Sequence, residues 1–146
     1  MITTTVDVSA LKELQGRVLS AAQADSLLRE IATSMLGVTQ KRIHEQGRKA
    51  DGSQIGSYSD NYLKLRERNN LGTDRTVILF FTGQMQNDYK VVPLSDTEYG
   101  LGYDNKLNAD KADWAEERFG KIFALTDEEL NDVRTIVQAY LDKVFA

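Results

Sequence analysis

The segment Thr126-Asp127-Glu128-Glu129 is the strongest constraint on how this chain can fold. A threonine followed three residues later by a glutamate satisfies two orphan helix N–H groups reciprocally. Asp127 and Glu128 add negative charge at the end of a helix where the backbone dipole is positive. Behind them Leu130, Val133, Val137, Tyr140, Leu141 and Val144 recur at helical spacing. The C-terminal part is therefore an amphipathic helix whose apolar stripe needs a covering surface. A second helical period lies near the other end of the chain. Over 24–46, Leu28, Ile31, Met35, Val38 and Arg42 recur at steps of three and four, with Asp25 at the N-terminal end. This helix also has one apolar face and must pack on something. A shorter amphipathic piece over 8–19 precedes it, interrupted by Gly16.

Between these helices the period changes. Residues 47–61 read GRKADGSQIGSYSDN, with Gly47, Gly52 and Gly56 among Ser, Asp and Asn, which is the composition of an exposed, flexible loop arm. The arm extends over about 47–75 and holds a short helix over 60–69, ended by Asn69, Asn70 and Gly72. Residues 77–81 form a continuous apolar, β-prone run, followed by strand-like stretches over 89–94 and 98–103. Three or four antiparallel strands are expected, with Pro93 at a strand end or sheet edge because it cannot donate to a ladder. Asn108 is placed to cap a further helix carrying Ala112, Trp114, Ala115 and Phe119, with Gly120 as its stop. The expected fold class is α+β, with a long N-terminal helix, a small antiparallel β-sheet, C-terminal helices and an extended loop arm. At 146 residues the chain suits one domain, 1–146, and its 41% hydrophobic and 27% charged residues are globular composition.

Composition also narrows the chemistry. There is no cysteine, so disulfides, thiolate nucleophiles and cysteine-based metal sites are impossible. No stretch approaches the roughly 18 apolar residues that span a bilayer, and the first residues carry no signal-peptide pattern. A net charge of −4 opposes electrostatic wrapping of DNA. The single histidine, His44, is followed by Glu45, but position 48 is Arg, so the two-histidine metalloprotease pattern fails. Gly47 and Gly52 have phosphate-loop spacing, yet Ser53 stands where the essential lysine should be. Carboxylates gather at Asp104, Asp110, Asp113, Glu116 and Glu117, and helical geometry brings Asp113 and Glu117 to one face. Lys106, Lys111 and Arg118 are interleaved, however, and the alternating calcium-loop pattern is missing, so a solvated face is the simpler reading. No catalytic, cofactor-binding or metal-ligating residues emerge, and no enzyme activity is expected.

The aromatics say more. Phe80, Phe81, Tyr89, Tyr99, Tyr103, Trp114, Phe119, Phe123 and Tyr140 lie in the C-terminal half and are expected in the core. Tyr58 and Tyr62 lie in or beside the polar arm, where burial within one subunit is harder to arrange, and tyrosine is enriched at protein interfaces. With Ile55 and the cations Arg66 and Arg68, they form the candidate partner interface.

Taken in order, several segments resemble those of the phage virion morphogenesis and tail-completion family. They are a long helix ending in a Gly-rich loop (HEQGRKADGSQIGSYSDNYLKLR), an apolar run closed by Thr-Gly (VILFFTGQMQNDYKV), a glycine-bearing strand (EYGLGY), a helix ending in Phe-Gly (ADWAEERFGKIFALTDEE) and a terminal helix. The matching residues are Asp51-Gly52, Leu79 with Thr82-Gly83, and Phe119-Gly120 with Phe123, and the similarity covers roughly 43–141. Arg118 stands where that family usually has a histidine or tyrosine, and Lys121-Ile122 replace its Pro-Arg-Pro segment.

The resemblance implies a structural subunit without cofactor, assembled in the host cytoplasm and resident in the virion at its neck or tail. It implies a homo-oligomeric ring, six copies being the best guess and twelve the next. The neighbours would be portal or head-closure proteins on one side and tail tube or tail terminator proteins on the other. DNA would pass the channel without sequence-specific binding, and no membrane would be involved. Two competing readings are a metal-dependent accessory enzyme using the carboxylates of 104–117, and a monomeric adaptor.

Overall fold

The computed structural model describes residues 4–5, 19–95 and 98–146, and the architecture is α+β. Its elements are β1 (Thr4–Thr5), α1 (Ala21–His44), α2 (Asp60–Arg68), α3 (Gln84–Asp88), β2 (Tyr89–Ser95), β3 (Glu98–Tyr103), α4 (Lys106–Phe119) and α5 (Asp127–Val144). The short amphipathic piece expected over 8–19 lies outside the described residues, apart from the buried Leu19.

Helix α1 starts at a capping box formed by Ser20 and Gln23, in which each side chain accepts from the other residue's backbone N–H. Asp25, expected to mark the start, instead accepts from Arg29 Nε at 2.8 Å and from the Tyr99 hydroxyl, which ties the helix to β3. The expected box at the C-terminal helix is present. Thr126 Oγ1 accepts from Glu129 N at 3.1 Å, and Glu129 Oε2 accepts from Thr126 N at 2.8 Å.

The sheet has the order β1-β3-β2 and is antiparallel throughout. Tyr89 pairs with Tyr103 and Pro93 with Tyr99, and the ladder becomes irregular between Pro93 and Ser95. Pro93 thus sits on an edge strand, where a missing N–H costs least. β3 is central and is buried over most of its length. Leu27, Ile31, Met35 and Ile43 of α1 face it and, with Leu101 and the rings of Tyr89, Tyr103 and Phe123, make the core. Those three rings lie 5.1–6.0 Å apart, within the range of favourable tilted and edge contacts. Ala109, Ala112 and Ala115 form the buried stripe of α4, small enough to let that helix lie close to the sheet.

Two local expectations are corrected. Asn108 does not cap α4. Asn105 does, accepting from Leu107 N at 2.9 Å, while Asn108 is buried and donates to Asp88. Residues 77–81 do not form a strand. Leu79 has φ of +50°, which no ladder accommodates, and side chains take over the backbone groups that a ladder would have paired. The Tyr58 hydroxyl accepts from Ile78 N, His44 Nδ1 lies 3.3 Å from Ile78 O, and Arg66 donates to Phe80 O.

Candidate functional site

Residues 47–59 form the extended connection between α1 and α2, and they are laid against the body of the molecule. Ile55 N donates to Gly47 O, Ala50 N to Lys121 O, Tyr58 N to Arg75 O and Val77 N to Gly56 O, at 2.8–3.1 Å. Lys49 Nζ donates to Phe119 O at 3.1 Å, and Gly56 lies so close to the Phe119 ring that a Cβ would meet it at 2.8 Å. The connection therefore braces the turn Phe119-Gly120, and the two together close one end of a groove.

That groove has a volume of about 560 Å³ and is mainly apolar, with six aromatic side chains in its lining. One wall is Tyr58 and Tyr62, with ring centroids 4.9 Å apart, continued by Phe81 at 6.2 Å from Tyr62. The floor comes from Leu79, Phe80 and Met85, and the opposite wall is one face of α4, formed by Lys111, Trp114, Ala115 and Arg118. These four stand at i, i+3, i+4 and i+7, the spacing that puts side chains on one helical face. Trp114 is 66% exposed, an unusual position for the largest apolar side chain in the protein. Arg118 stacks on Phe119 with its guanidinium carbon 5.2 Å from the ring centroid.

Arg66 holds the tyrosine wall in place. It is 3% exposed, lies over the Tyr58 ring at 4.7 Å, and donates to the carbonyls of Phe80 and Leu71. Partial burial raises the pKa of the Tyr58 hydroxyl, which keeps it protonated as it accepts from Ile78 N.

The five candidate interface residues therefore separate. Tyr58 and Tyr62 line the groove. Arg68 is exposed on α2 and does not line it. Ile55, at 3% exposure, and Arg66 are corrected from interface to interior, because the core takes the isoleucine and two carbonyls and a ring face take the guanidinium. The α4 wall was missed. Lys111, Trp114 and Arg118 are readable as one helical face, but aromatic residues expected in the core drew Trp114 inward.

The carboxylates of 104–117 are dispersed. Asp104 pairs with Lys90 and Asp110 with Lys106. Glu116 Oε1 accepts from the backbone N–H groups of both Ile122 and Phe123 at 2.9 Å, fixing the link into α5. Among the described residues, no three His, Asp or Glu side chains gather as a metal ion would need, and no helix is long and apolar enough to cross a membrane. Comparison with protein families, with curated proteins and with solved structures finds no match for this chain.

Proposed function

We propose that this chain is a structural subunit of a tailed-phage virion, forming a homo-oligomeric ring at the head-to-tail joint and acting by assembly instead of catalysis. One observation carries the reading. Of the short motifs that resemble the tail-completion family, those at Leu79, Thr82-Gly83 and Phe119 lie apart in the chain yet meet at the groove. Leu79, Thr82, Gly83 and Phe119 line it, and the loop containing Asp51-Gly52 is bonded to the Phe119-Gly120 turn through Lys49 and Ala50. Turns at these positions would build a docking surface. An exposed tryptophan among aromatic walls is the usual make-up of an interface anchor.

The ring would have six subunits, or failing that twelve, with portal or head-closure proteins on one side and tail tube or tail terminator proteins on the other. Imaging of the native particle tests this. Density for this fold repeated around the neck or tail axis supports the assignment. A particle with a single copy, or none, overturns it. Calorimetry with magnesium and calcium tests the enzyme alternative, which requires tight binding that is lost when Asp113 and Glu117 are neutralised.

A further inference from the structure

We infer that the aromatic groove is the acceptor of a head-to-tail contact, and that its occupant is the acidic first turn of α5 from a second copy of this chain. The inference rests on the assembly reading above and adds which surfaces meet. Charge is the argument. The chain has 22 acidic against 18 basic residues, yet among the described residues lining the groove there are two cations, Lys111 and Arg118, and no carboxylate. Asp110, Asp113 and Glu117 lie on the same helix but fall outside the lining set. A positive, aromatic recess on an acidic protein selects an acidic segment with an apolar anchor.

The same distribution fixes the symmetry. Two copies related by a two-fold axis through the groove would bring Lys111 and Arg118 of one against those of the other, and no carboxylate lines the groove to offset them. An isologous dimer is thereby disfavoured, and a heterologous contact, which closes into a ring where the rotation between copies allows, is favoured. The complementary patch must then lie elsewhere on the chain. The start of α5 supplies it, with Asp127 and Glu128 exposed in the first turn and Leu130 beside them as an exposed apolar side chain. These acids are free to serve, because the cap is made by Thr126 and Glu129 alone.

The test uses the full chain, reading both the mass of the purified protein at low ionic strength and its copy number per native particle. Lys111→Glu with Arg118→Glu, and separately Trp114→Ser, replace exposed side chains, so the thermal melt should stay cooperative and close to wild type, with a small loss from the stacking of Arg118 on Phe119. Each should weaken self-association roughly tenfold or more and deplete the chain from particles. Adding Asp127→Lys and Glu128→Lys to the charge-reversed groove should restore assembly, since the contact joins the two patches in opposite sense.

If the wild-type chain assembles and the groove variants assemble equally well, the inference fails and the ring reading stands. If the groove variants fail and the α5 reversal does not rescue them, α5 is not the occupant, and the groove belongs to another virion protein. If the wild-type chain is single-copy in every state, the assembly reading falls and the inference with it.

Discussion

Arg42 and Glu129, 87 residues apart, form a buried ion pair with Arg42 Nε 2.7 Å from Glu129 Oε1. Nη2 also donates to Glu129 Oε2 at 3.5 Å, and the other donors of the guanidinium go to the carbonyls of Arg48, Ile122 and Ala124. One side chain thus pins the end of α1, the start of the extended connection, the link after α4 and the cap of α5. Removing one partner of such a pair leaves an uncompensated buried charge.

Glu129→Ala is therefore expected to lose about 3–5 kcal/mol of stability. Glu129→Gln keeps a residue able to complete the capping box and should fall between that variant and wild type. Urea unfolding measures both. Unchanged midpoints would mean that the pair contributes nothing and that the hub is held by packing alone.

His44 gives the fold a pH dependence. It is 2% exposed, Nδ1 faces the Ile78 carbonyl and so carries the proton, and Nε2 has no partner. Burial lowers its pKa below the ordinary 6.5, because the charged ring would lose its hydration. Above about pH 6.5 the ring is neutral in both states and costs nothing. As pH falls below that value the unfolded chain takes up the proton first, so stability declines by at most ~1.4 kcal/mol per pH unit until the folded-state pKa is reached. Melting curves from pH 7.5 to 5 should show this slope in wild type and lose part of it in His44→Gln. An identical slope in the two proteins would place the acid sensitivity elsewhere.

What was legible in the sequence was whatever depended on local chemistry. Thr126 and Glu129 announce their helix because a cap is made within four residues, and Pro93 announces an edge because a missing N–H is a local fact. The same logic holds for Ser20 and Gln23, a box that was present but overlooked in favour of Asp25. The run 77–81 misled because its backbone partners are side chains from distant positions, Tyr58, His44 and Arg66, which no window around Leu79 contains. The groove was half visible for the same reason. Tyr58 and Tyr62 stand out in a polar context, whereas Trp114 is informative only once Ala109, Ala112 and Ala115 are seen to have taken the buried face of α4.

Gly47 and Gly52 separate two costs that sequence alone merges. Both have positive φ, +63° and +83°, but a Cβ at Gly47 would run into the Val77 carbonyl, whereas none would be contacted at Gly52. Gly52→Ala should lose about 1 kcal/mol through backbone conformation alone. Gly47→Ala should lose clearly more, because the backbone at Val77, which lines the groove, must move as well. Denaturation midpoints in the reverse order would show that the approach of residue 47 to residue 77 is looser than the structure has it.

The order in which trypsin cuts 47–75 tests how that segment behaves in a free subunit. Each ordered residue costs roughly 1–2 kcal/mol of backbone entropy, so a stretch stays in place only where bonds and burial offset this. Over 47–58 they do so through Ile55 in the core and backbone bonds to Lys121 and Arg75. Arg66 is shielded inside its own subunit. Arg75 is held by its carbonyl to Tyr58 N and by its guanidinium to Asp60 Oδ1 at 2.6 Å. Arg68 differs, because it ends α2 and is followed by exposed Asn69 and by Asn70 at φ of +56°. The first cut in free protein should fall after Arg68, with cuts after Arg48 and Lys49 roughly tenfold slower, since they require the bonded connection to open. Fragment masses over a short time course decide it. Equally fast cutting at Arg48 and Lys49 would mean that the connection opens readily in isolation and becomes ordered only when a neighbouring subunit covers it.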